Sequence, residues 1–128
     1  SERVKAITKG KGVPVVYDGI GKDTFTESLD CLAPMGLMAS FGNASGAVAP
    51  VNIGILAQKG SLYLTRPTLV NYTATREDLL TAARELFAVV KKGAVKIAIN
   101  QRYPLREAER AHRDLESRKT TGSTVLLP

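Results

Sequence analysis

A continuous apolar run, Val-Pro-Val-Val-Tyr at residues 13–17, is the strongest constraint on how this chain folds. A strand with one face in solvent alternates apolar and polar residues, so an unbroken run predicts a strand buried on both faces, as in a parallel sheet. Two further short apolar runs follow at residues 37–41 and 61–64. Each run ends in a polar or turn-forming segment, which is typical of a strand that stops at a loop.

The segments between these runs have the pattern of helices. Asp23 is a candidate N-cap for a helix that ends near Pro34 and Gly36. The apolar stripe of this helix consists of Phe25, Leu29 and Leu32. A second, short helix is predicted around residues 53–58. The order strand–helix–strand–helix–strand predicts an α/β fold, in which right-handed crossovers join a parallel sheet.

The pattern changes after residue 72, and a domain boundary is predicted at residues 70–74. The segment from Thr75 to Asp78 resembles a capping box and predicts the start of a helix that ends at Gly93. Three elements are predicted beyond it. They are a half-buried strand at residues 95–99, a helix with Pro104 at its first position, and a strand at residues 123–127.

The N-terminal segment predicts that this chain is a portion of a longer protein. Residues 1–7 begin without an initiator Met and have the spacing of the last turns of a helix. A natural domain rarely starts inside a helix, so a longer parent protein is expected.

Charge, cysteine count and apolar run lengths argue against several classes of function. Lys and Arg number 18 against 12 Asp and Glu, a net charge of +6, but no basic–aromatic cluster accompanies it, so no nucleic acid is expected as a partner. No apolar run is long enough for a bilayer, so no membrane contact is expected. Cys31 and His112 are the sole cysteine and histidine and cannot build a zinc site, so no metal is expected. A single cysteine fits the reducing cytoplasm.

The candidate binding residues lie where the three predicted strands end. Ligands of open parallel sheets bind beyond the carboxyl ends of the strands. Here those ends are Asp18-Gly19, Phe41-Gly42-Asn43 and Thr65-Arg66-Pro67. Glycine lets the backbone approach a flat ligand, and the short polar groups suit a carboxamide or a ribose. Ordinary turn chemistry also explains these residues, so both interpretations stay open at this point.

Five stretches of the sequence together resemble a known family. They are Val-Val-Tyr-Asp-Gly-Ile-Gly at residues 15–21, Ser-Leu-Asp-Cys-Leu at 28–32, Gly-Leu-Met-Ala-Ser-Phe-Gly-Asn-Ala-Ser-Gly at 36–46, Lys-Gly-Ser-Leu-Tyr-Leu-Thr-Arg-Pro at 59–67, and the tail from Tyr-Pro-Leu at 103–105 to Thr-Gly-Ser at 121–123. They are similar to the NADPH:quinone oxidoreductases, the zinc-free, zeta-crystallin-like branch of the medium-chain dehydrogenase/reductase superfamily. The similarity covers nearly the whole chain in order.

The resemblance implies a two-domain parent enzyme of which this is the C-terminal portion. Residues 1–72 would be the second half of a doubly wound (Rossmann) dinucleotide-binding domain. Residues 73–128 would return to the catalytic, GroES-like domain. The implied reaction is hydride transfer from NADPH to a quinone. The Gly-rich phosphate loop of such enzymes is absent from these residues, so the isolated chain is expected to be inactive and to bind NADPH weakly.

The resemblance also implies which residues contact the cofactor. The strand ends would surround the nicotinamide and its ribose, and one arginine would approach from the C-terminal segment. The implied set is Asp18, Gly19, Phe41, Gly42, Asn43, Ser45, Thr65, Arg66, Pro67 and Arg118. No acid–base pair stands out in the sequence, so no catalytic residue is assigned.

The last two expectations concern the assembly of the protein and a competing function. The run at residues 61–64 carries no charge or proline that would block strand pairing. In the family's doubly wound order it lies at the sheet edge, so a homodimer through residues 60–66 is expected. The competing function is a free-standing, non-catalytic α/β interaction domain that kept the half-sheet and lost the chemistry.

Overall fold

The computed structural model describes all 128 residues, which form two compact units, Ser1–Tyr72 and Thr73–Pro128. The elements of the first unit are α1 (Glu2–Ile7), β1 (Val13–Asp18), α2 (Phe25–Asp30), β2 (Leu32–Ser40), α3 (Gly54–Gln58), β3 (Tyr63–Thr65) and α4 (Leu69–Tyr72). The elements of the second unit are α5 (Arg76–Lys91), β4 (Ile99–Pro104), a 3-10 turn (Leu105–Glu107), α6 (Ala108–Glu116) and β5 (Ser123–Leu127).

The first unit contains the predicted parallel sheet. Its three strands lie in the order β1-β2-β3, and β2 pairs in parallel with both neighbours. Helices α2 and α3 lie in the two connections, as the alternating sequence pattern requires. The α/β prediction is therefore confirmed. In the second unit, β4 and β5 form a separate parallel pair.

The core of the first unit lies between the sheet and its helices. The buried cluster consists of Phe25, Leu29, Leu32, Met38 and Leu62. Leu29 and Met38 are completely buried. Both faces of β1 were predicted to be buried, and that prediction is wrong, since Tyr17 is 75% exposed. Within this unit the apolar cluster covers one face of β1, and no element packs over Tyr17.

The boundaries around α2 differ from those predicted. The N-cap residue of α2 is Thr24 rather than Asp23, and Leu32 belongs to β2 rather than to the helical stripe. The helix stops early because the Val13 N–H donates to the Cys31 carbonyl oxygen at 2.9 Å, which draws the chain into the sheet directly after the helix. The strand β2 therefore begins five residues before the predicted position and bulges between Leu32 and Leu37.

The second unit confirms one helix start and corrects one strand. Thr75 Oγ1 accepts from the Asp78 N–H at 3.1 Å and donates to its carboxylate at 2.7 Å, as the capping pattern predicts. The prediction of a strand at residues 95–99 is wrong. The chain folds back at Val95, whose N–H donates a hydrogen bond to the C-terminal turn of α5. The strand forms later instead. Pro104 ends that strand and precedes the 3-10 turn, so it is not a helical position.

A buried carboxylate joins the end of β1 to the first turn of α2. The Asp18 side chain is 3% exposed. Its Oδ1 accepts from the N–H groups of Ile20 at 2.8 Å and Gly21 at 3.0 Å. Its Oδ2 accepts from the hydroxyls of Thr24 and Ser28, both at 2.8 Å. Four donors thus converge on one carboxylate, which is the arrangement that a buried anion needs.

These hydrogen bonds determine the protonation of Asp18. Burial raises the pKa of the carboxyl group, but bonds from Gly21, Ser28, Thr24 and Ile20 together outweigh it, and the pKa lies below its ordinary value. A carboxyl group with a lowered pKa in the folded state stabilises the fold above its unfolded-state pKa. That contribution is lost as the pH falls through the folded-state pKa.

We expect Asp18→Asn to lower the free energy of unfolding at neutral pH by about 2–3 kcal/mol, because a neutral amide satisfies the four donors poorly. The gap between variant and wild type should narrow as the pH falls below the ordinary pKa of an aspartic acid, because the unfolded chain takes up a proton there first and the folded-state carboxyl group does so at still lower pH. Urea denaturation at neutral and acid pH measures both effects. The control is Asp23→Asn, at an exposed neighbour whose carboxylate forms no hydrogen bond. A gap of constant size at all pH values would contradict the assignment.

Candidate functional site

The carboxyl ends of the three parallel strands lie at one edge of the sheet. A first loop, residues 19–24, follows β1, and a second loop, residues 41–46, follows β2. Residues 65–67 form the end of β3 and the turn after it. In open α/β sheets this edge is where ligands bind, so the structure brings nine of the ten predicted residues to one place.

Hydrogen bonds connect the second loop to the end of β1 and to the first loop. The Phe41 N–H donates to the Asp18 carbonyl oxygen at 2.8 Å, and the Ser45 N–H donates to the Ile20 carbonyl oxygen at 2.8 Å. In the opposite direction, the Lys22 N–H donates to the Gly46 carbonyl oxygen at 3.1 Å. The two loops therefore form a single paired layer over the ends of β1 and β2.

Gly42 is required by this pairing. A Cβ atom at residue 42 would lie 2.4 Å from the carbonyl oxygen of Gly19, closer than any side chain can approach. The absent side chain of Gly42 thus makes room for the first loop. Gly19 in turn lies against the ring of Phe41, two atoms of which would be 3.0 Å from a Cβ at residue 19. Both glycines serve the contact between the loops.

The predicted site residues divide into those already engaged and those with free polar groups. The carboxylate of Asp18 is saturated by its turn, and the hydroxyl of Ser45 bonds to the first loop. The side-chain amide of Asn43 is exposed and forms no hydrogen bond within the chain. Arg66 is exposed and uses one N–H, which donates to the Pro67 carbonyl oxygen at 3.0 Å. Asn43 and Arg66 therefore keep most of their donors for a ligand.

Two open pockets meet at Arg66. The smaller has a volume of about 300 Å³, and its lining residues are Phe25, Ser40, Asn43, Ala47, Val48, Ala49, Val51, Leu64 and Arg66. The larger has a volume of about 700 Å³, and its lining residues are Phe41, Arg66, Pro67, Thr68, Leu69 and Tyr72. The walls of both are mainly apolar, with a few polar groups, which is the usual character of a small-molecule site.

Residues that the sequence patterns did not single out complete the larger pocket. Leu69 and Tyr72 are 75% and 67% exposed on the short helix α4. The sequence does contain a signal for them, because both are apolar residues beside the predicted domain boundary that belong to no predicted strand or long helix. Thr65 ends β3 and lines neither pocket. Arg118 lies in the second unit with φ +57°, just after α6, and its contact with a cofactor stays a prediction.

Two further observations concern metal binding and membrane insertion. No group of three or more His, Cys, Asp or Glu side chains converges where a metal ion could bind. No helix combines the length and apolar character needed to cross a membrane.

Known proteins with similar sequences and structures identify the family. A family described as zinc-binding dehydrogenase matches residues 1–126. A quinone oxidoreductase from Pseudomonas aeruginosa is 60% identical over 128 residues, which are 100% of this chain and 39% of the relative. The structure of Escherichia coli quinone oxidoreductase complexed with NADPH is 57% identical with a TM-score of 0.90, over 99% of this chain and 40% of that one. A 2-haloacrylate reductase from Burkholderia sp is 46% identical, over 100% of this chain and 39% of the relative.

The chain spans about 39% of the length of the curated relatives that it matches, and it corresponds to their C-terminal part. The inferred resemblance to quinone oxidoreductases is confirmed. The chain therefore belongs to the zinc-binding dehydrogenase family of the medium-chain dehydrogenase/reductase superfamily.

Proposed function

We propose that this chain works as the C-terminal portion of an enzyme that transfers a hydride from NADPH to a quinone. The observation that carries the proposal is the layer at the strand ends, where Asn43 and Arg66 offer unused donors beside the exposed ring of Phe41. Relatives that share this segment are quinone oxidoreductases, one of them solved with NADPH. We place the enzyme in the cytoplasm, since Cys31 has no partner for an internal disulfide.

The donor set at the strand ends fits the nicotinamide half of NADPH. A carboxamide needs one donor and one acceptor, and the free amide of Asn43 provides both. The guanidinium of Arg66 adds further donors, and the half-exposed ring of Phe41 offers a flat apolar surface. Bound NADPH supplies the hydride. The protein's part is to fix the distance and orientation of the nicotinamide and to exclude water.

The remaining predicted residues have supporting or neighbouring roles in this proposal. Asp18 and Gly19 shape the wall near the ribose, Thr65 and Pro67 border the site at β3, and Arg118 contacts the cofactor as the family resemblance implies. We assign residues 1–72 to the dinucleotide-binding domain and residues 73–128 to the catalytic domain.

We expect Arg66→Met and Asn43→Ala each to raise the Kd for NADPH about tenfold in the full-length protein, because each removes hydrogen bonds worth about 1.4 kcal/mol. Isothermal titration calorimetry measures the change. The control is Arg3→Met, which removes one exposed positive charge from α1, away from the strand ends. NADPH binding at wild-type strength by both site variants would contradict the proposed site. Turnover of a 2-haloacrylate but no quinone would contradict the proposed substrate.

We also propose a homodimer through the edge strand β3. This strand pairs only with β2, so its other edge has unpaired backbone groups that another strand could use. Tyr63 is 63% exposed and Leu64 is 39% exposed. Leu62 is 6% exposed and belongs to the core, so substitutions at residue 62 would disturb folding as well as assembly. Tyr63 is therefore the position at which assembly can be tested separately.

We expect Tyr63→Lys to weaken the dimer at least about tenfold, because a two-fold contact would bring like charges together across the paired strands. Size-exclusion chromatography with light scattering, at tens of micromolar protein, measures the mass. Thr26→Lys adds the same charge on the exposed surface of α2 and should leave the dimer intact. A monomeric wild type, or a Tyr63→Lys variant that stays fully dimeric, would count against pairing through β3.

The family description implies zinc, but the residues of this chain do not fit a zinc site. Cys31 and His112 are its sole cysteine and histidine, they lie in different units, and no carboxylates group with either. We expect elemental analysis of the purified protein to find no zinc bound by these 128 residues. Zinc that is lost specifically on Cys31→Ser or His112→Gln substitution would refute this expectation.

A further inference from the structure

Six hydrogen bonds join the second loop to the first loop and to the end of β1, and Ser45 supplies the one side chain among them. Four of the six are backbone bonds, which no substitution removes without altering the main chain. The other two both involve the Ser45 hydroxyl. Its Oγ donates to the Ile20 carbonyl oxygen at 2.8 Å and accepts from the Asp23 N–H at 3.0 Å. Since the Ser45 N–H also donates to Ile20, this residue forms three bonds to the first loop.

The bonds of Ser45 lie in the same short loop as Phe41 and Asn43. Phe41 and Asn43 precede Ser45 in the same short loop, and both border pockets at the strand ends. Between them, Gly42 lies directly on the Gly19 backbone, with no space for one additional carbon. The loops therefore fit together in one register, and loss of the Ser45 bonds would let the second loop shift. Hydride transfer is sensitive to such shifts, since a displacement of about 1 Å can cost a hundredfold in rate.

We propose that Ser45 is a positioning residue, whose hydroxyl holds the second loop on the first and so fixes the Phe41 ring and the Asn43 amide at the nicotinamide. This inference rests on the proposed function. It differs from the role implied by the family resemblance, in which Ser45 itself lines the nicotinamide. Because both hydrogen-bonding directions of the hydroxyl are used within the protein, Ser45 acts through its neighbours.

A positioning role and a merely structural role have different consequences. The hydrogen bonds of the Ser45 hydroxyl lie at the exposed surface, where water can replace a lost partner. Ser45→Ala should therefore change the unfolding temperature little. Its effect should appear in the rate of hydride transfer, with a smaller change in NADPH affinity and none in the KM for quinone.

The chain offers a matched control in Thr8. Its Oγ1 donates to the Val4 carbonyl oxygen at 2.8 Å and accepts from the Gly12 N–H at 3.0 Å, the same pattern and the same distances as the Ser45 hydroxyl. Thr8 precedes β1, whereas the candidate site lies at the carboxyl ends of the strands. Thr8→Ala removes an equivalent pair of bonds at a place where no effect on turnover is expected.

The experiment compares wild type, Ser45→Ala, Ser45→Thr and Thr8→Ala in the full-length protein. We expect Ser45→Ala to lower kcat about tenfold with the KM for quinone within about twofold of wild type. Ser45→Thr keeps the hydroxyl and should recover most of kcat. Thr8→Ala should keep wild-type kcat whatever its effect on the unfolding temperature. Wild-type kcat in Ser45→Ala, or an equal loss of kcat in Thr8→Ala, would overturn the inference.

The emission spectrum of bound NADPH separates this inference from the proposed function. A wild-type protein that binds NADPH but reduces no quinone would refute the proposed reaction, and Ser45 would then be judged by the emission alone. A shift of the nicotinamide emission in Ser45→Ala but not in Thr8→Ala would support the positioning role, and identical spectra would overturn it. A full-length protein that does not bind NADPH would overturn both proposals.

Discussion

The buried carboxylate of Asp18 is the interaction on which the functional edge of the first unit depends. It lies at the last residue of β1 and binds the turn, the N-cap residue Thr24 and Ser28 of α2 through four donors. Because α2 carries Phe25 and Leu29 into the core, the same carboxylate links the packing of the sheet to the shape of the loop above it. A neutral side chain at residue 18 would leave the turn without its organising charge, and the second loop would lose the surface on which it rests.

The paired loops illustrate how glycine can be essential at the strand ends for packing within the chain. A side chain at residue 42 would collide with the Gly19 backbone, and a side chain at residue 19 would press on the Phe41 ring. The groups available to a ligand are instead the side chains that project from this layer, Asn43 and Phe41, together with Arg66 from the neighbouring strand end. In the proposed site, the backbone contact positions the loops and these side chains would contact the ligand.

The element order could be read from the sequence because apolar runs and capping residues act locally. The run at residues 13–17 and the Thr75 cap both predicted the elements that form. The errors arose where a distant partner decides the local structure. Asp23 was the nearest acidic residue to the start of α2, but Asp18 bonds Thr24 from the strand before it. The common location of the candidate site residues at one sheet edge could be predicted, since strand ends follow from the strands. Which of these side chains keep free donors and acceptors depends on hydrogen bonds between the loops, and no sequence pattern reveals those bonds.

The pairing of the first and second loops also has a thermodynamic consequence for ligand binding. Flexible loops that close on a ligand lose conformational freedom at that moment, and the ordering offsets part of the contact energy. Here donors on both loops already bond across the gap, so the two segments are ordered together by the fold itself. Association then requires little further loss of backbone entropy. The affinity of this edge for a flat ligand would depend mainly on the contacts it makes, and weakly on any folding of the loops around it.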